Sequence, residues 1–225
     1  MRLASLILAL AGTPAFACDT ALALAIDVSG SVSKREYAIQ TEGLAVAFLD
    51  EVVAEALVSG QSAVLVVQWT GLSRQAVTLD WRRIGTHDDV VALAEEVRTM
   101  PREWDMFSTA IGDALAFTVR EFDDVADCER RIIDISSDGT SNEGMLPQLL
   151  GPTLDRAEIT VNALVITGAE PNLPDYFRQA VIHGPGAFVE VAAGYEDYPR
   201  AIRSKLLQEL TVPMFKSVAP APRNM

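Results

Sequence analysis

Apolar residues along the chain follow two different periods, and the two alternate in a way that predicts strands separated by helices. The predicted buried strands are short, nearly continuous apolar runs at 21–27, 62–69, 130–136, 159–166 and 187–191. The predicted helices carry apolar residues at every third or fourth position and lie after Ser33, at 88–97, from Ser108, around 143–157, near 173–181 and over 198–210. Alternating strands and helices indicate a mostly parallel sheet that is covered by helices on both faces.

The first predicted helix has a clear start in the sequence. Ser33 and Glu36 form a capping box, in which the side chain of each residue accepts a hydrogen bond from the backbone N–H of the other. The apolar face of this helix is predicted to consist of Tyr37, Thr41, Leu44, Phe48 and Val52. The helix therefore connects the first two predicted strands as a strand–helix–strand unit.

One further strand is predicted from alternating rather than continuous apolar residues. Val77, Leu79 and Trp81 alternate with other residues after the polar turn at 70–75, which is typical of a half-exposed strand that returns antiparallel at the edge of a sheet. The predicted fold class is therefore α/β: a doubly wound, mostly parallel six-stranded sheet with one antiparallel edge strand. Ligands of such sheets bind at the carboxyl ends of the strands, near the point where the strand order reverses.

The N-terminal segment has the composition of an export signal. Arg2 precedes an apolar run from Leu3 to Ala11, and small residues stand at Ala15 and Ala17, which predicts a cleavable signal peptide over residues 1–17. The apolar run is shorter than the roughly 20 residues that a membrane-spanning helix needs. The protein is therefore expected in the bacterial periplasm or outside the cell, without a membrane span.

One domain and one pair of cysteines are expected after cleavage. Removing 17 of the 225 residues leaves 208, enough for a single α/β domain with a sizeable core. We predict this domain at 18–212, as a monomer, followed by a disordered tail at 213–225. Cys18 and Cys128 are the only cysteines, and in an exported protein they favour a disulfide. Two free thiols are expected instead if the protein is not exported, and lipidation of Cys18 is a further alternative because this residue follows the predicted cleavage site.

The charge of the chain excludes two classes of partner. The chain has 31 acidic and 18 basic residues and a net charge of −13, and loss of Arg2 with the signal would leave 17 minus 31, or −14. Nucleic acids and anionic membranes are therefore not expected as partners. The acidic residues between Glu121 and Glu129 are interpreted as a solvated face, with a calcium site as the alternative.

Hard oxygen ligands are concentrated at the end of the first predicted strand. Asp27 ends this strand, and Ser29 and Ser31 follow in the loop before the first helix. One carboxylate and two hydroxyls suit Mg²⁺, and also Mn²⁺ or Ca²⁺. Gly30 has no side chain and would allow the backbone to turn tightly around an ion. The sequence therefore predicts a metal site at the carboxyl edge of the sheet.

Two further segments bring candidate ligands to the same edge. Thr109 is predicted in the first turn of a helix, directly after Ser108 as its N-cap, and the alternative is that Thr109 only caps this helix. Asp138 follows the strand predicted at 130–136 and precedes Gly139, and the alternative is a turn-forming Asp-Gly pair without a ligand role. Because three segments agree in position, we favour one metal site that they form together.

These segments resemble the metal-ion-dependent adhesion site of the von Willebrand factor A superfamily, whose fold is Rossmann-like. Asp27, Ser29 and Ser31 match its Asp-x-Ser-x-Ser loop, Thr109 begins a Thr-x-x-Gly-x-Ala-Leu segment, and Asp138 stands in the Asp-Gly turn. The resemblance covers about residues 20–212. It is strongest to a group of exported bacterial proteins without an assigned activity, through blocks such as LALAIDVSGSVSKREYAIQTEGLAVAF, RRIIDISSDGTSNEG and AIRSKLLQEL.

The resemblance also implies a role for each matched residue. The hydroxyls of Ser29, Ser31 and Thr109 would bind the metal directly, whereas Asp27 and Asp138 would act largely through metal-bound waters. An acidic group, from an Asp or Glu of a protein partner, would fill the remaining coordination position. The expected function is therefore metal-dependent, adhesion-like protein binding without enzymatic activity.

Two other functional interpretations stay open at this point. A Mg²⁺-dependent hydrolase or phosphatase would use Asp27 as its nucleophile, but such phosphatases usually have a second Asp two residues later, where this chain has Ser29. The chain has only two histidines, His87 and His183, too few for a three-histidine zinc site. The other interpretation is a structural domain that carries a vestigial site.

Overall fold

The computed structural model describes residues 18–168, 170 and 172–211, so the predicted signal peptide and the predicted disordered tail lie outside the described residues. The strands are β1 (Thr20–Asp27), β2 (Ala63–Trp69), β3 (Gln75–Arg83), β4 (Arg130–Ser137), β5 (Ile159–Ile166) and β6 (Val189–Ala192). The α-helices are α1 (Lys34–Phe48), α2 (Glu51–Ser59), α3 (His87–Thr99), α4 (Ile111–Arg120), α5 (Gly151–Ala157), α6 (Leu173–Ala180) and α7 (Tyr198–Thr211). Short 3-10 helices lie at Glu121–Val125, Pro147–Leu150 and Tyr195–Asp197.

The strands form one six-stranded sheet in the order β3-β2-β1-β4-β5-β6. All neighbouring strands pair in parallel except β2 and β3, which pair antiparallel at one edge. This arrangement confirms the predicted fold class, including the antiparallel edge strand. The strand order reverses between β1 and β4, because the chain adds β2 and β3 on one side of β1 and later adds β5 and β6 on the far side of β4.

Helices cover both faces of the sheet and give the domain two apolar cores. In β1, Leu22, Leu24 and Ile26 belong to the core beneath α1, α2, α3 and α7, whereas Ala21, Ala23 and Ala25 belong to the core beneath α4, α5 and α6. Successive strand residues point to opposite faces, so a strand that is buried on both faces has a continuous apolar run. Among the described residues, no helix is long and apolar enough to cross a membrane.

The first predicted helix is two helices in the structure. The capping box of Ser33 and Glu36 is present, but α1 ends before Leu49, and α2 begins after Asp50. Asp50 accepts hydrogen bonds from the backbone N–H groups of Val52 and Val53, which makes it the N-cap of a new helix. Val52 is 53 % exposed, so its prediction as part of the buried face was wrong.

The helix predicted around 143–157 begins later and is shorter. A 3-10 helix starts at Pro147, and α5 starts at Gly151. A continuous helix would need hydrogen bonds from the N–H groups of Pro147 and Pro152, which proline lacks, and would force each ring against the preceding turn. Residues 138–146 are therefore loop, and this loop contributes to the candidate site.

A disulfide joins Cys18 to Cys128, as the cysteine count predicted. The two residues precede β1 and β4, and the N–H of Glu129 donates to the carbonyl of Cys18 over 3.0 Å. The bond closes a loop between residues 110 positions apart, and cross-links over long loops stabilise a protein mainly by restricting its unfolded chain. A disulfide is compatible with an exported protein.

A buried charged cluster attaches α7 to the centre of the sheet. Lys205 is fully buried, and its Nζ lies 2.9 Å from Oδ2 of Asp134 in β4 and 2.5 Å from Oε1 of Glu209. The same Glu209 oxygen accepts a hydrogen bond of 2.8 Å from the side-chain amide of Asn162 in β5. A buried charge is stable only when it is paired, so the position of α7 on the sheet depends on Lys205.

Replacing Lys205 by Met should destabilise the domain strongly, by roughly 3–5 kcal/mol, because Asp134 and Glu209 would remain buried without their cation. Urea unfolding measures the free energy of unfolding directly. Arg203→Met is the matched control: Arg203 lies on the same helix and pairs with Asp50, but it is 49 % exposed, so its loss should change stability by less than about 1 kcal/mol. Equal effects of the two substitutions would contradict this account.

Candidate metal centre

The candidate site lies at the carboxyl ends of β1 and β4, where the strand order reverses. Asp27 is the last residue of β1, and Ser137 is the last residue of the neighbouring strand β4. Loops that leave two adjacent parallel strands at such a point diverge and leave a crevice between them. The site is therefore where the sheet topology predicts a ligand.

The loop after β1 is held by its own backbone and by Arg102. The carboxylate of Asp27 accepts a 2.7 Å hydrogen bond from the N–H of Ser29, and Asp27 is only 1 % exposed. The Oγ atoms of Ser29 and Ser31 are 3.3 Å apart. The guanidinium of Arg102 donates to the backbone carbonyls of Val28 and Ser29 over 2.9 and 3.0 Å. These two carbonyls therefore face Arg102.

The Asp-Gly turn after β4 joins this loop directly. The hydroxyl of Ser31 donates to Oδ1 of Asp138 over 2.6 Å, and the hydroxyl of Ser137 donates to Oδ2 of Asp27 over 2.5 Å. The phenol of Tyr195 donates to Oδ2 of Asp138 over 3.0 Å. Asp138 is therefore held from two sides, and the structure brings it together with Asp27, Ser29 and Ser31.

Thr109 reaches the site from a loop rather than from a helix. Helix α4 begins at Ile111, so the prediction that Thr109 lies in the first helical turn with Ser108 as N-cap was wrong. The N–H of Thr109 donates to Oδ1 of Asn142 over 3.0 Å, and the carbonyl of Thr109 accepts from the N–H of Asn142 over 2.9 Å. These two hydrogen bonds with Asn142, rather than a position in a helical turn, hold the backbone of Thr109.

The hydroxyl of Thr109 faces the turn that carries Asp138. A Cβ built on Gly139 would lie 4.0 Å from Oγ1 of Thr109, so the two segments are in close contact. Thr109 is 6 % exposed. The predicted ligand residues therefore lie at the end of β1 and on loops that contact one another at one edge of the sheet.

The electrostatics of the site favour a cation. The pKa of Asp27 is raised from 3.8 to about 7, mainly by burial and to a smaller extent by the negative charge of Asp138, while hydrogen bonds from Ser137 and Ser29 oppose this rise. Burial and the neighbouring carboxylates also raise the pKa of the Tyr195 phenol, so Tyr195 acts as a hydrogen-bond donor. Two carboxylates beside three hydroxyls form a set of hard oxygen donors, which suits Mg²⁺, Mn²⁺ or Ca²⁺. The residues present therefore fit a divalent metal ion.

Several residues outside the predicted ligand set hold the ligands in place. Asn142 and Glu143 lie in the loop that precedes the 3-10 helix at Pro147, and the side chain of Asn142 positions Thr109. Ser137 could have been noticed because it ends a buried strand beside Asp138. Tyr195 and Arg102 have no local signal, since each reaches the site only through the tertiary fold.

The other candidate metal ligands do not gather into sites. No group of three or more His, Cys, Asp or Glu side chains suited to a metal occurs in the described part of the chain, so the calcium alternative for the acidic segment 121–129 gains no support. His183 pairs with Asp155 at 2.7 Å, and His87 lies 3.6 Å from Glu55.

Comparison with protein families gives a match over nearly the whole chain. Residues 17–214 match the family described as "Protein of unknown function (DUF1194)". The chain belongs to this family. No curated protein matches the sequence of this DUF1194 chain.

Comparison with solved structures shows the von Willebrand factor A fold. Proximal thread matrix protein 1 from the mussel byssus has a TM-score of 0.64 at 19 % identity, and the match covers 84 % of this chain and 47 % of the mussel protein. Another structure of the mussel protein is described as having a "zinc occupied MIDAS motif", where MIDAS stands for metal-ion-dependent adhesion site. A von Willebrand factor type A protein from Catenulispora acidiphila has a TM-score of 0.58 at 18 % identity over 86 % and 43 %. The pilus adhesin SpaC from Lactobacillus rhamnosus GG has a TM-score of 0.61 at 11 % identity over 86 % and 30 %. The DUF1194 chain thus spans less than half the length of each of these proteins.

Replacing Asp27 by Asn should stabilise the metal-free protein, measured by urea unfolding at pH 8 in excess chelator, by roughly 1–3 kcal/mol. The folded carboxyl has a pKa of about 7 against an ordinary value of 3.8, so wild-type stability falls as pH rises between these values and the full penalty applies above them. Asn removes the buried charge but can still accept from Ser29. Asp123→Asn, at an exposed position, serves as the control and should change stability by less than about 0.5 kcal/mol. A less stable Asp27→Asn protein would contradict the interpretation that the buried charge of Asp27 destabilises the metal-free protein.

Proposed function

We propose that this domain is a metal-dependent, adhesion-like protein-binding module. Asp27, Ser29, Ser31, Thr109 and Asp138 would hold a divalent cation, and the partner protein would present an Asp or Glu carboxylate to it. The observation that carries this proposal is the buried carboxylate of Asp27, which lies 1 % exposed beside a second carboxylate and the serine hydroxyls. Two neighbouring carboxylates, one of them buried, are unfavourable without a counterion, and a cation bound between them would make the arrangement favourable.

The donor set supports Mg²⁺ as the metal of this proposal, with Mn²⁺ or Ca²⁺ as alternatives. Hydroxyl and carboxylate oxygens are hard ligands, and the site contains no described thiolate or imidazole that would select a softer ion. The zinc-occupied MIDAS motif of the mussel protein supports a divalent ion in a site of this fold. When bound, the cation supplies a positive position that an external carboxylate can occupy.

The hydrogen bonds within the site explain why an external acid would be needed. Asp27 is engaged by the Ser29 N–H and the Ser137 hydroxyl, and Asp138 by Ser31 and Tyr195. Both carboxylates therefore share their negative charge with neighbouring donors. A cation held mainly by neutral hydroxyls keeps much of its charge and attracts a further anionic ligand.

The proposal places the protein outside the cytoplasm. The signal-like segment at 1–17 and the disulfide between Cys18 and Cys128 are both consistent with export to the periplasm or the extracellular space. The net charge of −13 argues against nucleic acid as the partner.

The enzymatic alternative, a Mg²⁺-dependent hydrolase with Asp27 as nucleophile, is disfavoured by the geometry. Both carboxylate oxygens of Asp27 accept hydrogen bonds, and the side chain is buried. A nucleophile has to reach its substrate along an open path, whereas Asp27 is only 1 % exposed. We therefore propose binding without turnover.

Magnesium should raise the melting temperature of the wild-type domain by about 5–10 °C at 100 times the dissociation constant, because only the folded state has the site. Thr109→Ala and Asp27→Asn should abolish this rise. Thr99→Ala removes an equivalent hydroxyl from the exposed end of α3 and should keep it. A wild-type melting temperature that is unchanged by Mg²⁺, Mn²⁺ and Ca²⁺ would contradict the proposed metal site.

A panel of phosphoesters distinguishes binding from catalysis. With Mg²⁺ present, we expect the wild type and Asp27→Asn to show the same background hydrolysis of p-nitrophenyl phosphate and related esters. Turnover in the wild type that disappears in Asp27→Asn would instead support the hydrolase and overturn the proposal of a binding module.

A further inference from the structure

A groove that combines two exposed apolar side chains with polar ones lies directly beside the candidate metal site. This groove, here named the rim groove, has a volume of about 580 Å³ and is lined by Gly30, Arg74, Met106, Phe107, Ser108 and Glu143. Met106 is 86 % exposed and Phe107 is 39 % exposed, and nearby Leu72 is 46 % exposed. Large apolar side chains with this exposure next to a ligand site are typical of interaction surfaces.

The rim groove and the metal site share the same loops. Gly30 lies between Ser29 and Ser31, and Ser108 directly precedes Thr109. The N–H of Gly30 donates to the carbonyl of Phe107 over 2.8 Å, so the walls of the two sites are in contact. Because neighbouring Cα atoms of a peptide are about 3.8 Å apart, residues next to a metal-directed Asp or Glu would pass over this groove.

The walls of the rim groove are fixed by contacts among three loops. The guanidinium of Arg74 lies 3.9 Å from the centre of the Phe107 ring and donates to the carbonyl of Leu72 over 3.1 Å. The N–H of Leu72 donates to Oε2 of Glu143 over 3.0 Å, and the hydroxyl of Thr70 donates to the carbonyl of Ser108 over 2.9 Å. The groove is therefore preformed, which lowers the entropy that a ligand has to lose.

The backbone of Met106 is in an unfavourable conformation, and its side chain is exposed to solvent. Its φ is +63°, a region that residues with a Cβ seldom adopt. A Cβ built on Gly30 would lie 3.2 Å from the Cα of Met106, so the loop packs tightly against the metal-binding segment. Local strain of this kind persists where the surrounding structure imposes it, and it occurs often at functional sites.

The charge at the rim groove differs from that of the whole protein. One Arg and one Glu line the groove, so its formal charge is zero, whereas the whole chain carries −13. An acidic partner is repelled by most of the surface but not here. The chemistry that fits the combined surface is a carboxylate with apolar neighbours.

We infer that the rim groove binds large apolar side chains adjacent to the acidic residue of the partner protein, so that the recognised segment is an exposed Asp or Glu flanked by residues such as Leu or Phe. This inference rests on the proposed function, since the acidic residue is positioned by the metal. The metal site supplies the anchor, and the groove supplies the preference for one acidic segment over another.

Fluorescein-labelled peptides test this inference by fluorescence anisotropy in Mg²⁺. The probe is Ser-Gly-Leu-Phe-Asp-Leu-Gly-Ser, and the comparison peptides replace either its three apolar residues by Ser or its Asp by Asn. Wild-type protein should bind the probe at least about tenfold more tightly than the serine peptide, since burial of one large apolar side chain is worth about that factor. Binding should disappear with the Asn peptide and in chelator.

Variants of the groove walls should remove the preference for apolar neighbours. Phe107→Ser and Met106→Ser should bring the two Asp peptides within about twofold of each other, without changing the thermal response to Mg²⁺. Val91→Ser is the matched control, because Val91 is 56 % exposed but lies on α3, away from the groove. It should keep the tenfold preference.

The outcomes separate this inference from the proposed function. If wild-type stability responds to Mg²⁺ but the apolar and serine peptides bind equally, or neither binds, the inference is overturned and the metal site stands. The inference is also overturned if probe binding persists in chelator or if the preference survives both groove variants. If wild-type stability does not respond to metal at all, the proposed function is wrong, and the inference that rests on it is wrong as well.

Discussion

Parallel pairing between β1 and β4 places two strand ends side by side, and the two carboxylates at the centre of the candidate site are brought together by this contact. It brings the carboxylate of Asp27 within 2.5 Å of the Ser137 hydroxyl and puts Asp138 beside Ser31. The pairing is itself a product of continuous apolar runs, because only strands buried on both faces lie at the centre of such a sheet. The disulfide between Cys18 and Cys128 fixes the opposite ends of the same two strands.

In the described part of the chain, two clusters of charged residues each contain a buried carboxylate of the central strands, and they are built in opposite ways. At the centre of β4, Lys205 supplies the cation that Asp134 and Glu209 require, so the cluster is complete within the chain. At the carboxyl end of β1, Asp27 and Asp138 lie together, and the neighbouring donors are neutral hydroxyl, phenol and amide groups. The first arrangement stabilises the fold, whereas the second leaves an excess of negative charge that a bound cation would balance.

The sequence predicted the features that depend on local patterns. The strands, the antiparallel edge and the loop of Asp27, Ser29 and Ser31 follow from runs and spacings that lie within a few residues of each other. Predictions failed where a single side chain outweighed the pattern: Asp50 divides a helix by capping a new one, and Asn142 pairs with Thr109 in place of the expected helical turn. The contribution of Tyr195 depends on how β6 and the following turn pack, which no short-range pattern contains.

The acidic surface determines how an acidic partner would approach. An acidic partner would be repelled by the net charge of −13 only once it comes within about the screening length of the solution, about 8 Å at physiological ionic strength, because salt screens the charge at larger distances. In the proposed complex, attraction would begin only when the acidic residue of the partner comes close to the bound cation and the groove. Added salt would therefore speed encounter by weakening the repulsion, the reverse of its effect on pairs of opposite charge. A surface of this charge would favour partners that approach with their acidic residue turned towards the proposed metal site.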